Sequence, residues 1–212
     1  MKRWPLFAAI AYVVLLFAGL VVVPAAPEAT ASGARIVRYY QDHADGVRLA
    51  MWLGAWSTVP LVVLIAHLRS RLAGTSRDVM LLGAAGVVVT TIVWSWFNLG
   101  LALHPSTLDP HVARTLTDVS DYFGPVLTVS IVLLIAPIGL AAWRGQGGLP
   151  RWLAWLTAMF ALEQSIETLT VFGKRGFIAP GGPMNFMLVA GLYLVWLISA
   201  GAAASRPVGE LA

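Results

Sequence analysis

The sequence predicts an all-α protein: a polytopic transmembrane helical bundle of six spans, with both termini cytoplasmic and short amphipathic extracytoplasmic helices. Three observations carry that expectation. Hydrophobic residues make up 58% of the 212-residue chain and charged residues only 11%, at a mean hydropathy of +0.79, which excludes an ordinary soluble domain. The apolar residues fall in runs of about 20, the length an α-helix needs to cross roughly 30 Å of hydrocarbon, whereas barrel strands would be near 10 residues with strict alternation. Lys and Arg are also unequally divided between the two sets of connections that six spans create.

The first span, about residues 6–23, follows Lys2 and Arg3. Ala29-Thr30-Ala31 resembles a signal-peptide cleavage site, but the apolar run exceeds the roughly 7 to 15 residues of a usual signal core, so an uncleaved span is expected. Pro24 and Pro27 end it. Ser32-Gly33 then opens a short amphipathic stretch closing at Gly46, with Ile36, Tyr40, His43 and Val47 on one face and Arg35, Arg38, Asp42 and Asp45 on the other. It reads as a helix at the membrane surface, with Arg38 and Asp42 placed to pair.

The second span, about 48–68, carries Trp52 and Trp56 in its first half and Pro60 as an expected kink. A basic turn with Arg69, Arg71 and Arg77 leads to the third span, about 79–103. That span begins with the small residues Gly83 to Gly86, which permit close helix approach, and ends in Trp94, Trp96 and Asn98. After His104-Pro105, Asp109-Pro110 has the form of an N-cap followed by proline at the first helical position. The segment from Pro110 to Trp143 would be about 50 Å long as one helix. A projecting start or a break at Gly124-Pro125 is therefore expected, with the fourth span at about 119–143.

The glycine-rich turn at residues 144–151 leads to the fifth span, about 152–172. Lys174 and Arg175 with Gly181-Gly182-Pro183 form the next loop, and the sixth span is about 184–204. The whole chain reads as one transmembrane domain.

Counting along this order places eight Lys and Arg against two acidic residues on one side, and six against six on the other. The positive-inside rule puts the first side, with both termini, in the cytoplasm. The net charge of +4 and pI near 9.9 thus reflect topology and not nucleic-acid binding. The chain has no cysteine, which excludes disulfides, thiolate catalysis and cysteine-ligated metal centres. No nucleophile elbow, phosphate loop or dinucleotide fingerprint is present, and no cofactor is identified.

One stretch concentrates the chemistry. In Ala161 to Thr170, Glu163 and Glu167 are four residues apart on one face of the fifth span, with Gln164 beside them and Thr170 continuing the stripe. From the cytoplasmic face Glu163 lies about 16 Å in, near midplane, and Glu167 about 6 Å further out. Carboxylates at that depth cost a few kcal/mol and must face protein or a wet cavity. Trp52, Trp56, Trp94, Asn98, Asp121 and Tyr122 fall at comparable outer-half depths. Together these residues suggest an outward-facing pocket in which a small lipophilic or cationic ligand meets tryptophan faces and carboxylates.

The blander reading makes the same carboxylates interhelical glue, with Glu167 paired to Arg48 or a nearby polar group, and Glu163 neutral and hydrogen-bonded to Gln164 or a neighbouring helix. Trp52, Trp56, Trp94 and Trp96 would then form an outer aromatic belt, as Trp4, Trp143, Trp152 and Trp155 do at the cytoplasmic interface. His43, His104, His111 and Asp118 are weak metal candidates, without a tight ligand spacing. Axial haem ligation has still less support, because only His67 lies near a span.

Tyr39-Tyr40-x-x-His43, Arg69-x-Arg71 and Leu149-Pro150-Arg151-Trp152-Leu153-Ala154-Trp155 give the chain a resemblance to an uncharacterised actinobacterial family of multi-pass integral membrane proteins. The resemblance implies a plasma-membrane protein (bacterial inner membrane) and transfers no catalytic residue. Three functions remain open. The first is binding or transport of a small ligand. The second is a membrane-embedded lipid-modifying enzyme using Glu163 or Glu167 as acid or base, with or without a metal. The third is a partner subunit of a membrane complex, associating through small-residue faces. Membrane lipids surround the protein in each.

Overall fold

The computed structural model describes residues 3–173 and 190–206. Every regular element among them is helical: α1 Trp4–Val22, α2 Gly33–Arg69, α3 Gly74–Leu103, α4 Pro110–Asp121, α5 Phe123–Trp143, α6 Arg151–Glu167 and α7 Ala190–Ala204. Short 3₁₀ turns cover Pro105–Thr107, Gln146–Gly148 and Thr168–Phe172. Four helical segments are long and apolar enough to cross a membrane: α1, α2, α3 and the combined stretch Pro110–Trp143. The loop containing Lys174 and Arg175, and the expected start of the sixth span at 184, lie outside the described residues.

The helix boundaries follow local chemistry. Ser32 caps α2, its hydroxyl accepting from the Arg35 amide, and Asp109 caps α4 by accepting from the amides of His111 and Val112 at 2.8 and 3.0 Å. The amphipathic stretch after Ser32 does not end at Gly46. It runs directly into the second span as one helix, with non-helical dihedrals at His43. Its faces are as the periodicity predicts, since Ile36, Tyr40 and Val47 are buried while Arg35, Arg38, Asp42 and Asp45 are exposed. Asp45, not Asp42, finds an arginine, pairing with Arg48 at 3.0 Å.

Pro60 lies inside α2 with helical dihedrals around it, so the bend falls at His43 instead. The break near Pro125 comes earlier, at Tyr122 between α4 and α5. Pro125 has no N–H to give the Asp121 carbonyl, so the helical ladder is interrupted four residues upstream. The expected fifth span likewise changes character. It is α-helical to Glu167 and 3₁₀ from Thr168 to Phe172.

Packing divides into two layers. The larger core gathers α1, α2, α3, α5, α6 and α7 around Leu64, Met80, Ile135, Ile138, Leu153, Phe160, Trp196 and Leu197. A smaller core joins Ile36, Tyr40, Val47, Leu101, Ala102 and Ala113. Close backbone approach holds the first. A Cβ on Gly83 would lie 2.3 Å from the Leu134 amide nitrogen, and one on Gly201 2.7 Å from the Ala9 Cβ.

Arginines tie each end of the bundle. At one end Arg71 donates to the carbonyls of Gly147, Ala204 and Arg206 at 2.9, 2.7 and 2.6 Å, while the Leu6 amide reaches Ser205 Oγ at 3.2 Å. At the other end Arg48 donates to Ala102 and Leu103 at 2.7 and 3.1 Å, and Arg114 binds the carbonyls of Ala29 and Ala31 together with Asp118. Arg48 and Arg71 thereby satisfy carbonyls at the C-terminal ends of α3 and α7, where helix dipoles favour a cation.

Candidate functional site

The site residues expected from the sequence separate into three groups. Trp52 and Trp56 sit side by side on the outward face of α2, ring centroids 6.0 Å apart, and are 54% and 52% exposed. Their rings thus face away from the packed interior, and Trp143 meets Trp155 edge-on at 5.3 Å where α5 ends and α6 begins.

The second group lies where α2, α3, α4 and α5 meet. Asn98 accepts from the Tyr40 hydroxyl at 2.9 Å and donates to Ser120 Oγ at 3.1 Å and to the Trp94 carbonyl at 3.0 Å. Trp94 stacks on Phe123 at 5.2 Å. Asp121 and Tyr122 occupy the α4–α5 junction next to these groups in sequence, with Tyr122 exposed. Asn98 here has both donor and acceptor satisfied, which suits a tie between helices. Ser120 and Tyr40 are the members that spacing did not single out for this cluster.

The third group is the acidic stretch of α6, which packs on α5 and α7. Along α6 the buried residues Leu153, Thr157, Phe160, Gln164 and Glu167 recur at three- and four-residue intervals, and Thr170 extends them into the 3₁₀ turn. Gln164 is 0% and Glu167 2% exposed. Glu163 is half-buried at the edge of the same stripe. The Gln164 amide nitrogen donates to Glu163 Oε2 and to Glu167 Oε2, both at 3.0 Å. Both its N–H groups are thereby committed, and the orientation of the amide is set, because the reverse would turn its oxygen toward two carboxylates.

The remaining oxygens define what this group can do. Glu163 Oε1, Gln164 Oε1 and Thr170 Oγ1 are buried without a hydrogen-bond partner. Buried acceptors in that condition cost free energy until a donor or cation meets them. Of the two expected partners for Glu167, Arg48 holds Asp45 and the end of α3, and the nearby polar group is Gln164, which also makes the expected bond to Glu163.

The stripe continues toward the α6 N-terminus in a polar and aromatic cluster that sequence spacing missed. Trp196 donates from Nε1 to Thr157 Oγ1 at 2.9 Å, and the hydroxyls of Tyr12 and Tyr193 are 3.0 Å apart. Phe160 lies against both Tyr193 and Trp196, with centroids 6.0 and 6.4 Å apart. Stepping back from Gln164 by helical intervals to Thr157 is the one signal that could have found it.

The metal candidates do not converge. Among the described residues no group of three or more His, Asp or Glu side chains could hold an ion. His43 lies edge-on to Tyr39 at the α2 bend, His104 ends α3, His111 is exposed, and Asp118 is engaged by Arg114. Two open clefts of about 310 and 430 Å³ flank the α1–α2 connection and share Asp42; neither includes a residue of the acidic stretch. The chain matches no protein-family model, no curated protein and no solved structure.

Proposed function

We propose that this is a six-span protein of the bacterial plasma membrane, with both termini cytoplasmic, that binds or transports a small lipophilic cation at Glu163, Gln164 and Glu167. One observation carries the reading. A fully buried amide bridges two carboxylates inside an apolar helix and leaves Glu163 Oε1 and its own Oε1 as unpartnered acceptors. Ionisable groups at such depth mark ligand or ion sites, and a surplus of acceptors calls for a ligand that brings positive charge.

The six-span topology is supported by how the ends sort. Arg71 gathers the α2–α3 turn, the α5–α6 turn and the end of α7, whereas Arg48 and Arg114 gather the α1–α2 connection, the end of α3 and the start of α4. Among the described residues the α1–α2 and α3–α4 connections therefore fall at one end and the α2–α3 and α5–α6 turns at the other, and the second set is the one the positive-inside rule assigns to the cytoplasm.

The test is equilibrium binding of a lipophilic amine, n-decylammonium, to the full chain in nanodiscs, followed by intrinsic tryptophan fluorescence. Glu163→Gln and Glu167→Gln are expected to abolish saturable binding while leaving the thermal unfolding midpoint close to that of the parent. Saturable binding that survives in both variants refutes the reading.

A further inference from the structure

The geometry points to a ligand whose cationic nitrogen carries its own N–H groups, a primary or secondary alkylammonium, bound with its head at Glu163 Oε1 and Gln164 Oε1 and its hydrocarbon chain toward the lipid. This rests on the α6 carboxylates being a cation site, and goes further in fixing the headgroup.

The inventory of hydrogen-bonding groups carries the argument. Gln164 has two N–H donors, and both go to carboxylate oxygens. What remains at the site is acceptor-rich: Glu163 Oε1 and Gln164 Oε1, while the unpartnered Thr170 hydroxyl lies nearly two turns further along the same buried stripe. Gln164 and Thr170 are each 0% exposed, so bulk water does not satisfy them. A quaternary ammonium would neutralise charge while leaving these acceptors without donors. An ammonium with two or three N–H groups answers both needs at once. An anion is excluded by the carboxylates themselves. A hard metal ion takes about six or more oxygen ligands, and among the described residues no cluster of three or more acidic or histidine side chains exists to begin such a shell.

Helix geometry supplies the route for the tail. Glu163 is half-buried on the seam of α6, between buried Gln164 and the lipid-facing residues Leu162 and Ile166, which are 63% and 47% exposed. An alkyl chain lying over Leu162 and Ile166 would stay in hydrocarbon while its headgroup reached the carboxylate.

The experiment compares n-decylammonium with n-decyltrimethylammonium, which has the same chain and charge but no N–H, on the full chain in nanodiscs at fixed ionic strength. The inference expects n-decylammonium to bind at least about tenfold more tightly, the effect of one charge-assisted hydrogen bond, and that advantage to vanish in Glu163→Gln. Equal affinities that both fall in Glu163→Gln overturn the N–H requirement and leave the cation site standing. Affinities that ignore Glu163 overturn both. Competitive displacement of n-decylammonium by sodium ions, at constant ionic strength, overturns the organic ligand in favour of an inorganic one. Should Glu163→Gln fail to fold, Gln164→Met removes the other acceptor at the head and is expected to weaken n-decylammonium more than n-decyltrimethylammonium; equal effects on the two probes count against the inference.

Discussion

The hydroxyl pair of Tyr12 and Tyr193 joins the first and last helices, and its removal gives a quantitative test of the bundle. Tyr193→Phe keeps the ring, hence its edge-on contact with Tyr12 at 5.8 Å and its contact with Phe160 at 6.0 Å. It deletes only the oxygen that lies 3.0 Å from the Tyr12 hydroxyl. In water-soluble proteins an orphaned buried hydroxyl costs about 1–3 kcal/mol. Interhelical hydrogen bonds in membranes average about 0.6 kcal/mol and reach about 1.7, because the separated helices also find partners. The membrane value governs here, so each single substitution, Tyr12→Phe or Tyr193→Phe, is expected to cost about 0.6–1.7 kcal/mol. The double substitution leaves no orphan and is expected to cost about the same as either single one. The resulting coupling, about equal to one single cost, is read from a double-mutant cycle by steric trapping in bicelles. Strict additivity, with a coupling below about 0.3 kcal/mol, would mean that the two hydroxyls do not meet and that α1 is not docked against α7 as described.

Three further substitutions probe the joints of the fold. Gly147→Ala places a Cβ 2.2 Å from the Arg71 carbonyl oxygen at φ +65°, while Gly145→Ala meets only open space at φ +66°. Both incur the left-handed penalty of about 1–2 kcal/mol, so the excess loss of thermal stability in Gly147→Ala measures the Arg71 contact, and equal midpoints would discount it. Gly83→Ala is expected to lower the unfolding midpoint because its Cβ falls 2.3 Å from backbone of α5, whereas Gly100→Ala, with nothing within 4 Å, is expected to be neutral or slightly stabilising. Arg114→Leu releases the Ala29 and Ala31 carbonyls and is expected to speed limited proteolysis between residues 24 and 32; an unchanged cleavage rate would show that the connection is held by other contacts.

Local signals in the sequence were legible where one residue type determines one backbone event. Asp109 before Pro110 can cap a helix and does so, and the Ile36, Tyr40 and Val47 face is buried as its spacing requires. The interruption associated with Pro125 was also foreseeable, though it falls next to Asp121, whose carbonyl Pro125 has no N–H to meet, and not at the proline itself. Interhelical partners were less legible. Trp52 and Trp56 were expected at the same depth as Asn98, but depth does not fix azimuth, and the two rings face outward while Asn98 faces Tyr40 and Ser120. Arg71 and Arg114 read as topology signals, yet each also joins several backbone segments, because a guanidinium with five donors can meet carbonyls from more than one segment.

The polar residues of the apolar helices differ in how they are satisfied, and that difference isolates the α6 stretch. Ser57, Thr58, Thr90, Thr91, Ser95 and Thr157 return their hydroxyls to carbonyls three or four residues back on their own helix, so they need no ligand to be stable in hydrocarbon. Tyr12 with Tyr193, Thr157 with Trp196, and Tyr40 with Asn98 and Ser120 are ties between helices in which donors and acceptors match. Thr117 on α4 is one buried exception. Among the described residues the other exceptions all fall between Glu163 and Thr170. If polar glue were the purpose of that stretch, the matching seen in the three interhelical ties would be expected there too. Gln164 instead places both of its donors on carboxylates one turn of helix apart and leaves its own acceptor unmet. That arrangement fixes two carboxyl groups one helical turn apart beside unsatisfied oxygens, a feature that helix adhesion alone does not require.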